Sequence, residues 1–277
     1  MKIYNTTKGV VIEEEKKYYL FLTDWDALIN DDDLYQTLKT KLQTTTPITN
    51  YEDLIQNHLS IPMQSQEIWA SGVTYFNSKL ARQEESEKAG GGTFYEKVYH
   101  ADRPELFFKA TAYRTVPSGG QVKIRQDSTW DVPEPELTLV ITSSGKIIGY
   151  TVGNDMSSRS IEGENPLYLP QAKTYDASAS VGPCILVSKS PLSTDTKINM
   201  KVLRAGVCVF DASTEIGQMK RHPEELVSYL FRECSFPYGC LLMTGTGIIP
   251  STDFTLQSQD EIQISIDTIG TLINTVQ

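Results

Sequence analysis

The 277-residue sequence predicts an α+β protein rich in β-structure, and three observations carry that prediction. Short runs dense in Val, Ile, Leu, Tyr and Phe, bounded by Gly, Ser, Asn or Asp, recur along the chain as strands and turns do. Segments with apolar residues at helical spacing are few and short. No internal repeat or low-complexity tract interrupts the pattern. A chain of this length buries a full core, as one large domain or as one with a small companion.

In order, residues 10–23 (VVIEEEKKYYLFLT) read as two strands about a charged turn. Asp31, Asp32 and Asp33 open a helix with Leu34, Leu38 and Leu42 at helical spacing, and acidic residues suit its N-terminal end. TTTPITN breaks the chain before a second short helix over 51–59. These elements predict a small N-terminal α+β domain over residues 1–65 and a larger domain over 66–277. EIWASGVTY reads as a strand leading into the helix NSKLARQEESEKA, which Gly90, Gly91 and Gly92 stop. FYEKVYHAD is a further helix and RPELFFKAT a strand; VPSGGQVKIRQDSTW is a polar excursion. After the central hairpin come a polar loop (SSRSIEGENPLYLP), a buried strand ending at Val187, the hairpin KINMKVLRAGVCVFDAST, the helix EELVSYLFREC, the run LLMTGTGIIP and a terminal hairpin.

The chemistry concentrates between Trp130 and Pro183. Leu137–Ile141 and Ile147–Val152 are β-rich runs, with Ser144 and Gly145 supplying a tight turn. If that pair forms the loop, Ser143 faces Lys146, and counting back along both strands places Glu134 opposite Asp155. Glu136 shares the face of Glu134 because strand side chains alternate. Three carboxylates then crowd one patch, where like charges destabilise the ladder or force protonation. A divalent cation removes the conflict, and an all-oxygen set suits a hard ion such as Mg²⁺. The plain alternative is a solvated acidic strand face; a three-residue turn would also slip the register by one. Against the solvated face, the carboxylates flank apolar runs and Pro133 and Pro135 stiffen the approach, and the residues alone leave both readings open.

Composition excludes other classes. A net charge of −10 with no basic stripe argues against a nucleic-acid partner. No run is long enough to span a membrane, and the N-terminus lacks a signal-peptide core, so a cytoplasmic location is expected. Cys184, Cys208, Cys234 and Cys240 show no CxxC spacing and read as buried thiols. Three histidines leave few candidates for zinc or histidine catalysis. TGTG lacks the third glycine of a dinucleotide fingerprint, yet such a loop can offer N–H groups and a hydroxyl to a carboxylate.

The segments EPELTLVI, GYTVGNDMSSR, QAKTYDASASVGPCI and LLMTGTGI, in this order and spacing, resemble the fumarylacetoacetate hydrolase family over residues 66–277. The resemblance implies a mixed β-roll of that family's C-terminal type. It also implies Mg²⁺ (or Mn²⁺ or Ca²⁺) on Glu134, Glu136 and Asp155, Lys173 in catalysis or substrate contact, Thr246 on the substrate carboxylate, and a homodimer or homotetramer. SGVTYFNSKLARQEE, RPELFFKAT and DSTWDVPEPEL are similar to the members that dehydrate 2-keto-3-deoxy sugar acids such as 2-keto-3-deoxy-D-arabinonate. Thr74 and Arg82 are substrate candidates from that similarity.

One departure separates the family's reactions. Its hydrolases carry a water-activating His in a segment like G-R-N-Y-x-x-H, and here Ser78 stands at that place. Carbon–carbon hydrolysis needs a base near neutrality; dehydration needs proton removal beside a ketone and an acid for the departing hydroxide. Glu105 and Lys173 are the candidates for that proton traffic, although Glu105 could instead pair with Arg103 or Lys109. The expected small-molecule partner is thus a 2-keto acid. An acylpyruvate-type C–C hydrolase or oxaloacetate decarboxylase is the alternative, and a non-catalytic acid-binding relative the third reading. Lys173 is expected to matter to turnover rather than folding. The stretch from Arg82 to His100 is expected to close over substrate, since a lid excludes water.

Overall fold

The computed structural model describes residues 1–80 and 92–277, with side chains in the second stretch described from residue 95. Fifteen strands form two sheets among these residues. They are β1 (Lys2–Thr6), β2 (Gly9–Glu14), β3 (Lys17–Phe21), β4 (Glu67–Gly72), β5 (Glu105–Thr111), β6 (Thr115–Val116), β7 (Gln121–Val122), β8 (Asp131–Ile141), β9 (Ile147–Ser158), β10 (Ala179–Val187), β11 (Lys197–Arg204), β12 (Val207–Glu215), β13 (Cys240–Met243), β14 (Glu261–Ile266) and β15 (Gly270–Val276). The larger sheet runs β3-β2-β1-β10-β9-β8-β13-β4-β5, with β6 on β10; the smaller runs β12-β11-β14-β15-β7. Most pairings are antiparallel, but β4–β13, β6–β10 and β7–β15 are parallel, so both sheets are mixed.

The sheets face one another across the main core. Leu137, Leu139, Val152 and Leu242 from the larger meet Ile198, Met200, Val202, Ile262, Ile264 and Leu272 from the smaller. β8 is therefore buried along its whole length, and β9 nearly so. Acidic side chains on such strands leave water entirely, so they need partners.

The first 65 residues share this sheet. β1 pairs with β10 (Lys2 opposite Leu186), and Ile3, Ile12, Trp25, Leu28, Leu34 and Leu38 pack on Val140, Ile148, Ile185 and Val187. α1 (Trp25–Ile29), α2 (Leu34–Leu42) and α3 (Tyr51–Asn57) are the helices of this part.

The central hairpin reaches the expected register by another route. Glu134 lies opposite Asp155, but Ile141 pairs with Ile147 while Val140 pairs with Gly149, leaving Ile148 as an extra residue. The loop closes through Thr142 N–H to Lys146 O and Gly145 N–H to Thr142 O, both 2.9 Å. Ser143 faces Asn30, donating its N–H to Oδ1 at 2.7 Å, rather than Lys146. A longer loop and a compensating bulge thus give the pairing that a two-residue turn would have given.

The polar loop after Asp155 also differs from expectation. It forms the short helices Arg159–Glu164 and Leu169–Lys173, joined by a 3₁₀ turn at Pro166–Tyr168. Pro166 and Pro170 sit at helix starts, where their fixed φ fits, and Asn165 Oδ1 accepts the Leu167 N–H at 2.9 Å. Cys184 and Cys240 are buried as expected, but Cys208 and Cys234 are exposed, Cys208 on the outer strand β12 and Cys234 after the helix Pro223–Leu230. Arg82 and the expected lid as far as Gly91 lie outside the described residues.

Candidate metal centre and active site

Strands β8 and β9 bring Glu134, Glu136 and Asp155 together as the alternation of side chains requires. One carboxylate oxygen from each lies within 4.8 Å of the others, and all three residues are buried. The Gly245 N–H donates to Glu136 Oε2 at 2.5 Å. Burial raises the Glu136 carboxyl well above the ordinary carboxylate range, and the charges of Asp155 and Glu134 add to the rise. Three convergent hard oxygen donors under this strain fit a divalent cation, which neutralises the set without protonation.

Lysines answer the remaining charge. Lys173, at the end of the helix Leu169–Lys173, is fully buried. Its ammonium lies 2.8 Å from Glu134 Oε2, 3.2 Å from Asp155 Oδ2 and 2.6 Å from the Ser157 hydroxyl. The Phe107 ring lies 5.8 Å away. Lys109 on β5 is equally buried and approaches Asp155 Oδ1 at 2.5 Å. Burial pushes the Lys109 ammonium below its ordinary value, while Asp155 pulls it back. Arg159 donates to Glu134 Oε1 at 2.7 Å, and Glu162 completes the cluster 3.8 Å from Arg159 and 3.9 Å from Lys173.

Glu105 stands on β5 opposite Gly72 of β4. A Cβ at position 72 would fall 1.9 Å from Glu105 Oε2, so any residue other than glycine there would push this carboxylate aside. The sequence offered Arg103 or Lys109 as its salt-bridge partner. Lys109 turns instead to Asp155, and the Arg103 guanidinium lies over the Tyr229 ring at 5.5 Å.

Thr74 is fully buried and donates to Thr244 O at 2.6 Å. Thr246 follows Gly245, whose amide holds Glu136; its hydroxyl accepts the Ile248 N–H at 3.1 Å. Ser78 donates to Tyr75 O at 2.7 Å and accepts from Tyr75 N–H at 3.2 Å, which closes a local turn. No basic group stands at its position.

Four participants escaped the sequence reading: Lys109, Ser157, Arg159 and Glu162. A lysine inside the apolar run ELFFKAT is a signal in itself, since an unpaired ammonium does not survive in a core. Arg159 and Glu162 are three apart in a helix too short to show periodicity.

Comparisons with known proteins agree with this geometry. The profile of the fumarylacetoacetate (FAA) hydrolase C-terminal domain matches residues 68–277. A probable 2-keto-3-deoxyxylonate dehydratase of Haloferax volcanii is 48% identical over 223 residues, 80% of this chain and 76% of the relative. A 2-dehydro-3-deoxy-D-arabinonate dehydratase of Saccharolobus solfataricus is 43% identical over 241 residues, 82% of this chain and 79% of the relative. The solved structure of a 2-keto-3-deoxy-D-arabinonate dehydratase complexed with magnesium and 2,5-dioxopentanoate superposes with a TM-score of 0.85 at 35% identity, covering 100% of this chain and 99% of that one. Profile, relatives, fold and carboxylate cluster together place this chain in the fumarylacetoacetate hydrolase family.

Proposed function

We propose that this protein is a Mg²⁺-dependent hydro-lyase that dehydrates a 2-keto-3-deoxy sugar acid, such as 2-keto-3-deoxy-D-arabinonate, to a 2,5-dioxo acid. The observation that carries the reading is the buried Glu134–Glu136–Asp155 set with Lys173 inside it, in a chain whose water-activating position is Ser78. The two dehydratase relatives support it. Residues 66–277 hold all the candidate groups, and residues 1–65 complete the sheet behind them.

A cation on the three carboxylates would stabilise negative charge on the substrate's ketone oxygen and thereby acidify C3. The protein's own groups do the rest. Lys173 and Glu105 divide the proton traffic: one takes a proton from C3, and the other protonates the C4 hydroxyl, which departs as water. A proton then moves from C5 to C3, which leaves an enol across C4 and C5; protonation at C4 with loss of the enol's hydroxyl proton turns C5 into an aldehyde, and substrate minus one water gives the 2,5-dioxo product. Thr74, Arg82 and Thr246 are the substrate-binding candidates. Arg159 holds Glu134 in place, and Ser157 orients the Lys173 ammonium. The enzyme would work in the cytoplasm as a homodimer or homotetramer, a state that sedimentation of the pure protein checks.

The test is a product analysis by ¹³C NMR with Mg²⁺ present. A 2-keto-3-deoxypentonate should yield the aldehyde of a 2,5-dioxopentanoate, with no pyruvate. Cleavage of acylpyruvates, with the sugar acid untouched, would overturn the proposal in favour of the C–C hydrolase reading.

A further inference from the structure

Lys109 has a connectivity that the reaction above does not use. Its buried ammonium meets three acceptors on two different elements: Asp155 Oδ1 at 2.5 Å, Met156 O at 2.9 Å and Lys173 O at 2.5 Å. The first two belong to β9, and the third ends the helix Leu169–Lys173. One side chain thus ties a candidate metal ligand to the backbone of the candidate catalytic lysine. The strand is shaped for it. In the β4–β5 ladder Ile68 pairs with Ala110 and Trp69 with Phe108, so Lys109 is the extra residue of a bulge. Bulges re-aim a side chain, and they gather beside active sites. The Tyr175 ring, 5.9 Å from the ammonium, lies close by on the segment that follows Lys173.

We propose that Lys109 is a positioning residue that sets the Asp155 carboxylate and the Lys173 segment against each other for the chemistry proposed above. The inference rests on that reading for its purpose, but not for its test. A bare counter-charge would behave differently. If Lys109 only neutralised Asp155, removing it would leave the carboxylates more negative, and a cation would bind more tightly. A positioning residue has the opposite effect, because Asp155 loses its orientation; substitutions of groups that orient ligands typically cost about 10–100-fold in metal affinity.

The test uses the full-length protein with Lys109→Met and Lys109→Gln, the second keeping an amide donor for the carbonyls without the charge. Mn²⁺ binding is read by electron paramagnetic resonance and calorimetry. Hydrogen exchange is followed across residues 169–178, with the helix Pro223–Leu230 as a remote reference. Lys109→Met should bind Mn²⁺ about 10–100-fold more weakly, exchange faster over 169–178 with the reference unchanged, and lose kcat rather than gain KM. Lys109→Gln should exchange at an intermediate rate. If Lys109→Met does not fold, Lys109→Gln alone carries both readings. Mn²⁺ binding that is equal or tighter in the folded variants overturns the proposal. Should the wild type itself bind no Mn²⁺, the metal reading fails, and the exchange arm decides Lys109 by itself: faster exchange over 169–178 upholds the tie, and an unchanged rate overturns it.

Discussion

Replacing Lys173 with Met tests how far the site's charges depend on one another. The ammonium is buried against Glu134 and Asp155 at 2.8 and 3.2 Å, with Glu162 at 3.9 Å. Its removal leaves Lys109 and Arg159 to face four buried carboxylates, counting Glu136. Breaking a buried ion pair from one side costs about 3–5 kcal/mol; the two remaining cations hold the loss near the lower figure. At about 2–4 °C per kcal/mol for a protein of this size, the metal-free melting temperature should fall by roughly 6–12 °C. The sequence suggested a role in turnover alone, whereas burial in this cluster gives Lys173 a stake in folding as well. Turnover should also fall by about 10²–10⁴-fold if the amine moves a proton. A divalent ion returns positive charge to the same carboxylates, so saturating Mg²⁺ should raise the variant's melting temperature by more than the wild type's. Scanning fluorimetry with and without Mg²⁺ reads both effects. A metal-free variant that melts within about 2 °C of wild type, with no larger response to Mg²⁺, would refute this account of the cluster.

Three further outcomes are expected. Because the Glu136 carboxyl is raised in the folded protein, its contribution to stability is complete below the ordinary carboxylate range and is lost as pH rises through the raised value. Metal-free wild type should therefore lose more stability than Glu136→Gln as pH rises above the ordinary carboxylate range, and calorimetry should show weaker Mg²⁺ binding by the variant. A thiol reagent should label two cysteines in the native protein, Cys208 and Cys234, and four after unfolding; burial pushes the Cys184 thiol up to about 12, and Cys240 is likewise enclosed. Deleting residues 1–65 should yield an aggregating chain, because it strips Val140, Ile148, Ile185 and Val187 of their cover and opens the edge of β10; light scattering checks this.

The carboxylate cluster was legible because strand alternation and hairpin counting are local rules, and Glu134 opposite Asp155 follows from them even though the turn was misjudged. The bulge at Ile148 cancelled the error in loop length, and nothing in the residues announces a bulge. The pairing of β1 with β10 joins Lys2 to Leu186, 184 positions apart in sequence, so no local pattern reveals it. The Arg159–Glu164 helix is too short for periodicity, which hid Arg159 and Glu162 in an apparently polar loop. Lys109 was readable as a charge within an apolar strand, but its target was not, since three acceptors converge on it only in the folded chain. Cys208 was misplaced because apolar neighbours on an outer strand look the same as apolar neighbours in a core, whereas Cys234, between Glu233 and Ser235 beyond the end of a helix, had polar neighbours that pointed to the surface.

The central claim is that Glu134, Glu136 and Asp155 form one metal centre, and anomalous diffraction from crystals soaked in Mn²⁺ tests it most directly. The account predicts a Mn²⁺ peak in direct contact with an oxygen from each of the three carboxylates, absent in crystals of Glu136→Gln soaked at the same concentration. Mn²⁺ bound elsewhere while these three carboxylates stay bare, or an undiminished peak in the variant, would contradict it.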